Sequence, residues 1–386
     1  MGVNILLTAL GMGLLWGVMA IGVFVTYRIL NFADLTAEGS FTLGAALAAR
    51  LITSGWDPLV STIFAIFIGM AAGLMTGFFH TVLKIPPLLS GILSMTALYS
   101  INLRVMNNRA NIPVTRGTET LMSRMAGFLG TDERSALIAV LCIFGVIILN
   151  LTRVYINTFR KKRTRTNEFL NRFGDKKKLV SGAVYAVSMI ASVVAFVLIT
   201  RSGQAMAQLA IWFPASERVA AIYVGFAFVI VVIFILKLFF NTEIGYVLRA
   251  TGDNENMANA QGVNTNRMKI LGLVIGNACV ALSGALVFQM QGFADIGMGV
   301  GTIVIGLASV IIGEVIFRDK GSHRVFNAVV LGSVLYRIII AVVLTMGIHP
   351  NDFRLISAIM LAVVLSLPLF REKFNFNLKK LVLGRE

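Results

Sequence analysis

The fold class this chain predicts is an all-α protein that crosses a membrane many times, with about eleven transmembrane segments, and three observations predict it. Fifty-seven per cent of its 386 residues are hydrophobic and 13% are charged, for a mean hydropathy of +0.84. The apolar residues gather into uncharged runs, most of them long enough to cross a hydrocarbon layer of about 30 Å, which a soluble core of this size would not contain. The net charge of +16 falls in short clusters between those runs. That placement points to the anionic cytoplasmic leaflet as partner and away from nucleic acid.

In chain order the apolar segments cover residues 5–26, 40–53, 59–83, 88–103, 136–152, 179–200, 219–240, 270–289, 299–317, 325–348 and 355–370. Eleven is odd, so the two termini lie on opposite sides. With the C-terminus inside, the inner loops carry 23 Lys and Arg against eight outside, which predicts an outside N-terminus and a cytoplasmic C-terminus. Five arginines between 104 and 134 run against this rule without reversing it. The first segment has no basic leader and is long enough to span, so it reads as a membrane helix and not as a removable signal. Cys142 and Cys279 fall inside apolar runs and read as core fillers.

Between the first two segments, residues 27–40 hold Arg28, Asn31, Asp34, Thr36, Glu38 and Ser40 in a stretch too short for a roomy loop. The expectation is a break in helicity near residues 31–40 at or near membrane depth, with Asp34 or Thr36 capping the restart. The acids would also suit a first helical turn on dipole grounds alone. Carboxylates at such depth mark a polar cavity more often than a lipid-facing surface. Ser94, Thr96, Tyr99, Ser100 and Asn102 enrich the fourth segment, where hydroxyls can line a path or simply let helices approach. Arg337, mid-span, calls for a partner: Asp34, Glu38, a solute carboxylate or a purely structural ion pair. Glu314 reads as structural, and Lys237 can extend to the interface.

Residues 154–178 are the most basic stretch and read as a topology anchor beside lipid headgroups. Residues 202–217 could lie as an interfacial helix. The polar island at 241–269 sits between two runs without charge, 219–236 and 270–289, and must lie outside the membrane. Within it, 254–261 has helical spacing, Gly262 stands where a helix would stop, and Asn264 can cap the next. A short surface helix tied at both ends to spans can transmit a push from a soluble partner.

The tripeptide Phe32-Ala33-Asp34 recurs as Phe293-Ala294-Asp295. Each copy is followed by a glycine-containing gap and then hydroxyl, apolar, any, aliphatic, Gly, any, Ala, at 40–46 and 302–308. The first follows a span running inwards and the second one running outwards, so the halves would be inverted, as in many transporters. No G-x-x-x-x-G-K-[ST] motif, H-E-x-x-H or Cys/His cluster occurs. The chain thus offers no catalytic residues, no metal ligands and no cofactor site of its own.

The runs NFADLTAEGSFTLGAALAA, KIPPLLSGILSMTALYSINLRVMNNRANIPV and the stretch from EIGYVLRATGDNENMANAQGV to VIIGE resemble the permease subunits of bacterial ABC importers in the branched-chain amino acid and ribose permease superfamily. The branch nearest in pattern is the uncharacterised or tryptophan/tyrosine type. The resemblance covers roughly residues 1–115 and 218–370, and 136–217 departs from it. It implies a type II-like inverted-repeat fold in the bacterial cell membrane, with permease halves at 1–135 and 218–386 around an inserted two-span unit at 136–217. It also implies a permease dimer, two ATPase subunits that bind ATP and Mg on the cytoplasmic side, and an external lipid-anchored binding protein. By the same resemblance the coupling helix falls on Asp253, Asn254, Glu255, Met257, Ala258, Ala260 and Gly262, and the pathway runs beside 31–40. An amino acid, possibly aromatic, is the first expectation for the solute; a nucleoside or sugar is the second. The competing classes are an ion-coupled secondary transporter working through Asp34, Glu38 and Arg337, and a membrane scaffold built on the basic loop.

Overall fold

The computed structural model describes residues 2–115, 117–130, 216–316 and 325–345, together with the helical positions Leu355, Ala358, Ile359 and Ala362. The chain divides into two units, Met1–Met125 with Glu217–Glu386, and Ala126–Ser216. The expected two-span insertion, its basic loop, nearly all of the interfacial segment at 202–217 and most of the last apolar segment lie outside the described residues.

Helix α1 (Gly2–Val23) runs into a π-helical turn (Phe24–Ile29). A break follows, then α2 (Thr36–Thr53), α3 (Pro58–Thr81), α4 (Pro87–Val105), the short strand β1 (Asn111–Pro113) and α5 (Leu121–Leu129). After the undescribed stretch come α6 (Glu217–Phe240), α7 (Glu243–Asp253), α8 (Glu255–Ala260) and α9 (Thr265–Gln291). Strand β2 (Phe293–Asp295), α10 (Thr302–Ile316) and α11 (Val325–Thr345) complete the order. Local chemistry sets several of these limits. Pro58 takes the first position of α3, where its missing N–H costs nothing, and Asp57 caps it by accepting from Leu59 N (2.8 Å) and Val60 N (3.3 Å). Gly292 ends α9 in the left-handed conformation.

The bundle is built around α9, in which every residue from Gly276 to Gln289 is buried. Its small residues let neighbours approach to backbone contact. On α3, Ala65, Gly69, Gly73 and Gly77 recur every fourth position; the three glycines meet α9 at Asn277, Leu273 and Ile270 in turn. Such a small-residue ridge gains dispersion contacts where lipid supplies no hydrophobic drive between helices. The falling numbers on α9 make this pair antiparallel.

The same reading orders the rest. Gly22 meets Gly276 while Ser283 donates to Leu15 O (2.8 Å), so α1 opposes α9. Ser40 bonds Asn277 while Gly44 meets Ala281, so α2 runs with α9. Gly91 meets Leu35 and Gly39 meets Leu98, so α4 follows α2. Gly11 meets Ala221 and Gly225 meets Leu14, so α6 follows α1, whereas Gly13 against Val334 and Gly17 against Val330 set α11 opposite to it. Gly313 against Ala328 and Gly332 against Ser309 set α10 against α11. The alternation expected from the sequence therefore holds through all eight of these helices.

Their lengths are less uniform than eleven full spans require. Among the described residues six helices are long and apolar enough to cross a membrane. Segment 40–53 is α2, which starts four residues earlier, at Thr36, and is mostly buried among its neighbours. Segment 299–317 contracts to α10, 15 residues or about 22 Å. The two FAD tripeptides lie at opposite ends of the bundle. Phe32-Ala33-Asp34 sits at the end that carries α7 and α8, and Phe293–Asp295 forms β2 at the far end, paired antiparallel with β1 (Asn111 opposite Asp295).

Candidate functional site

The break between α1 and α2 is a wired polar junction. Asn31 adopts a left-handed backbone (φ 55) that turns the chain, a conformation Asn tolerates better than other non-glycine residues. Asp34 is 7% exposed. Leu35, neither Asp34 nor Thr36, holds the N-cap position of α2; Asp34 Oδ1 accepts the first helical N–H, Thr36 N (3.0 Å), from one residue outside it, and its Oδ2 accepts from Asn277 Nδ2 (2.7 Å). Asn277 also donates to Leu273 O (3.0 Å) and accepts from Ser40 Oγ (2.6 Å). Its amide is thereby satisfied on both sides, as a buried amide must be. Thr36 shares a hydrogen bond with Thr76 (2.6 Å), and Thr76 reaches Ser94 (2.8 Å). Asn102 donates to Gly39 O (3.2 Å).

Glu38, in the first turn of α2, accepts from Gly301 N (2.9 Å), the residue before α10. The two breaks are thus joined directly. Of the residues expected from the sequence, Asn31, Asp34, Thr36, Glu38, Ser40, Ser94 and Asn102 collect at or around α2. Thr96 and Tyr99 lie apart on the exposed side of α4, where Thr96 bonds only to its own helix's carbonyls. Arg337 pairs with neither Asp34 nor Glu38. Its guanidinium instead lies over the Trp16 ring (4.0 Å), and its buried Nε has no acceptor among the described residues. Glu314 binds Arg28 (2.9 Å) and joins α10 to the π turn.

The polar island forms the adjoining surface. Sequence reasoning found α8 and its limits: Asn254 caps it by accepting from Met257 N (3.0 Å), Gly262 is left-handed (φ 82), and Asn264 caps α9 by accepting from Arg267 N (3.1 Å). It missed α7, an amphipathic helix whose Gly252 packs against the backbone of Ile29 and Leu30 in the break. Ala258 is buried; Asp253, Met257, Ala260 and Gly262 are exposed, with Ile244 and Tyr246 of α7 also open. Glu255 binds Lys269 Nζ (2.6 Å), which also donates to His80 Nε2 (3.3 Å). The Lys269 ammonium holds the Glu255 carboxyl below its usual range. His80 meets the Phe32 ring edge to face (5.1 Å). A contact path thus runs from α8 through α9 and α3 to the break.

Sequence reasoning gave no site role to Asn277, Thr76, His80 or Lys269, the last noted only as a basic residue closing the island. The signal for Asn277 was present, an amide well inside a 20-residue apolar run. The other three lacked one, because their importance comes only from what they face.

The model of the family described as "Branched-chain amino acid transport system / permease component" matches residues 5–365. The "Tyrosine transport system permease protein" of Clostridioides difficile (strain R20291) is 31% identical over 375 residues, covering 97% of this chain and 94% of that protein. An uncharacterised protein of Rickettsia prowazekii (strain Madrid E) is 29% identical over 369 residues, covering 94% and 97% respectively. No solved structure matches significantly. The apolar helices and these matches together make the chain an integral membrane protein that belongs to the branched-chain amino acid transport system permease family.

Proposed function

We propose that this chain is the membrane-spanning permease subunit of an ATP-driven importer and carries an amino acid, tyrosine or another aromatic first, into the cell. The solute class rests on the similarity to the Clostridioides difficile protein, whose name assigns it to tyrosine transport. Two copies would enclose the path, with the N-terminus outside, the C-terminus in the cytoplasm and a binding protein delivering solute from outside. ATPase subunits would dock on α7 and α8, where Ile244, Tyr246 and Met257 stand exposed beside polar residues. Aromatic and Met side chains of this kind are enriched in protein interfaces. The 136–217 unit would be an insertion between two permease halves.

The observation that carries the reading is the direct seating of the island on the break. Gly252 rests on Ile29 and Leu30, and Glu255, Lys269, His80 and Phe32 form one line of contacts. A displacement of α8 is therefore felt at Phe32, two residues from Asp34. Near Asp34, Ser40 and Asn277, rearranged hydrogen bonds would open or close a polar route. An ion-coupled carrier could use Asp34 as well, but it would have no use for an exposed lever.

The test is Gly262→Val. The left-handed backbone there disfavours a branched side chain although the space around it is open. The variant inserts normally and its ATPase partner still hydrolyses ATP, while transport falls at least tenfold. Full transport, or uptake by the wild-type chain alone on an ion gradient, overturns the reading.

A further inference from the structure

A cavity of about 780 Å³ opens between α1, α6 and α11, and its described lining includes Asn4, Thr8, Met12, Arg218, Arg337 and Ile340. Its polar groups are hydroxyls, an amide and two guanidiniums, and none of the described lining residues is acidic. The cavity lies toward the end of the bundle remote from α7 and α8, because α1 enters it with its first residues and α11 with its last.

Arg337 is eight residues before Thr345, the last residue of α11. Its Cα is therefore about 12 Å along the axis from that helix end. Its side chain turns further inward, since Val330 and Val334 pair with Gly17 and Gly13 and the guanidinium carbon sits 4.0 Å from the Trp16 ring. An arginine that served only as a surface anchor would extend the other way, toward water. Among the described residues two buried donors here have no acceptor, Arg337 Nε on the cavity lining and Trp16 Nε1 in the ring that the guanidinium covers. Buried donors of this kind are rare in native proteins, and a pair of them beside a cavity fits an oxyanion that the chain itself does not provide. Trp16 in turn packs against Phe41 (4.9 Å), the residue after Ser40. Arg337 is thus linked to the polar junction through one pair of rings.

We propose that this cavity is the entry subsite of the path, where Arg337 takes the carboxylate of the carried solute while Met12 and Ile340 cover its apolar part. Arg218, in the first turn of α6, supplies a second positive charge that draws the anion in. The other source of an oxyanion with an apolar body is an anionic lipid. Its phosphate belongs at the headgroup level, above the depth of Arg337, so the observations favour the solute. The inference rests on the amino-acid permease reading and assigns it a carboxylate-binding residue.

The experiment uses the full chain in phosphatidylcholine nanodiscs with radiolabelled tyrosine as probe. The competitors are 3-(4-hydroxyphenyl)propionate, which keeps the carboxylate and lacks the ammonium, and tyrosinamide, which lacks the carboxylate. The propionate competes, the amide competes at least tenfold more weakly, and Arg337→Gln weakens tyrosine binding at least tenfold and abolishes that discrimination. Arg337→Lys, which keeps the charge and guards against misfolding, retains part of it. Equal competition by the amide, unchanged binding in Arg337→Gln or no binding of any probe overturns the proposal. So does Arg337-dependent retention of phosphatidylglycerol in native mass spectrometry without tyrosine binding, which would make a lipid the occupant. If the wild-type assembly imports tyrosine while Arg337→Gln binds it unchanged, this inference alone fails. If that assembly imports no amino acid but the propionate still binds through Arg337, the subsite stands and the solute reading falls.

Discussion

The two FAD breaks begin with the same local solution and put it to different uses. In each, the aspartate Oδ1 accepts the backbone N–H two residues on, Thr36 N at 3.0 Å and Gly297 N at 2.8 Å. Beyond that turn they diverge. The second copy is secured at the far end by pairing with β1, and its glycine-rich gap then leads down to Gly301 and Glu38. The first has no strand to hold it. Its aspartate spends its second oxygen on Asn277, and the polar island rests on its backbone. One break is tied by strand pairing; the other has a main-chain bond from Phe32 N to Thr26 O (2.9 Å) but seats its aspartate through side chains that a neighbour can rearrange. A junction held by side-chain hydrogen bonds, with an exposed lever beside it, is where motion can be admitted.

Substitutions at matched positions test this difference. Asp34→Ala orphans Thr36 N and Asn277 in a buried site, and we expect a loss of about 3 kcal/mol in stability with transport abolished. Denaturant unfolding in detergent together with uptake by the reconstituted assembly measures both. Asn277→Leu removes the partner of both Ser40 and Asp34 and should cost about 2 kcal/mol; an effect smaller than that of Asp295→Ala would reverse the ranking of the two breaks. Asp295→Ala itself should cost about 0.5–1 kcal/mol, since a half-exposed turn loses one hydrogen bond and keeps its ladder.

The smallest effect concerns the island. Lysine lowers the Glu255 carboxyl, so the folded state binds the proton less tightly than the unfolded state. The contribution of this pair is present above the ordinary glutamate range and lost as the pH falls through the depressed folded value. The melting temperature of Glu255→Gln should therefore trail the wild type by a constant small amount from pH 8 to about 5, with the gap closing below about pH 4. Glu255 is 43% exposed, which keeps the contribution under about 1 kcal/mol.

Much of this architecture was legible in the sequence because membrane burial imposes simple demands. Long uncharged runs predicted the helices, and loop charge predicted an alternation that the glycine contacts reproduce. The spacing over 254–261 and Gly262 gave α8 and its stop, and Asn264 gave the start of α9, since caps and left-handed stops are local. The π turn at Phe24–Ile29 and helix α7 escaped. Residues 243–253 mix Ile, Tyr, Val and Leu with polar residues at helical spacing, yet the flanking spans drew attention to their polarity alone. The shortness of α10 also escaped, because glycine-rich 297–301 is apolar enough to read as helix. Within the chain, the partner of Arg337 was sought at Asp34 and Glu38, whereas the side chain lies over a tryptophan face. Which of two distant residues meet depends on helix order and rotation, and hydropathy contains neither.

The central claim is that α8 is where an energy-supplying partner holds this chain. A photo-crosslinking amino acid at Met257, in cells expressing the chain with the ATP-binding cassette subunit proposed for it, tests it most directly. The account predicts a crosslink to that subunit that forms with the wild-type island and weakens at least fivefold when Gly262 is valine. Crosslinking only to a protein outside the cell, or labelling of position 257 by a membrane-impermeant reagent added to intact cells, would contradict it.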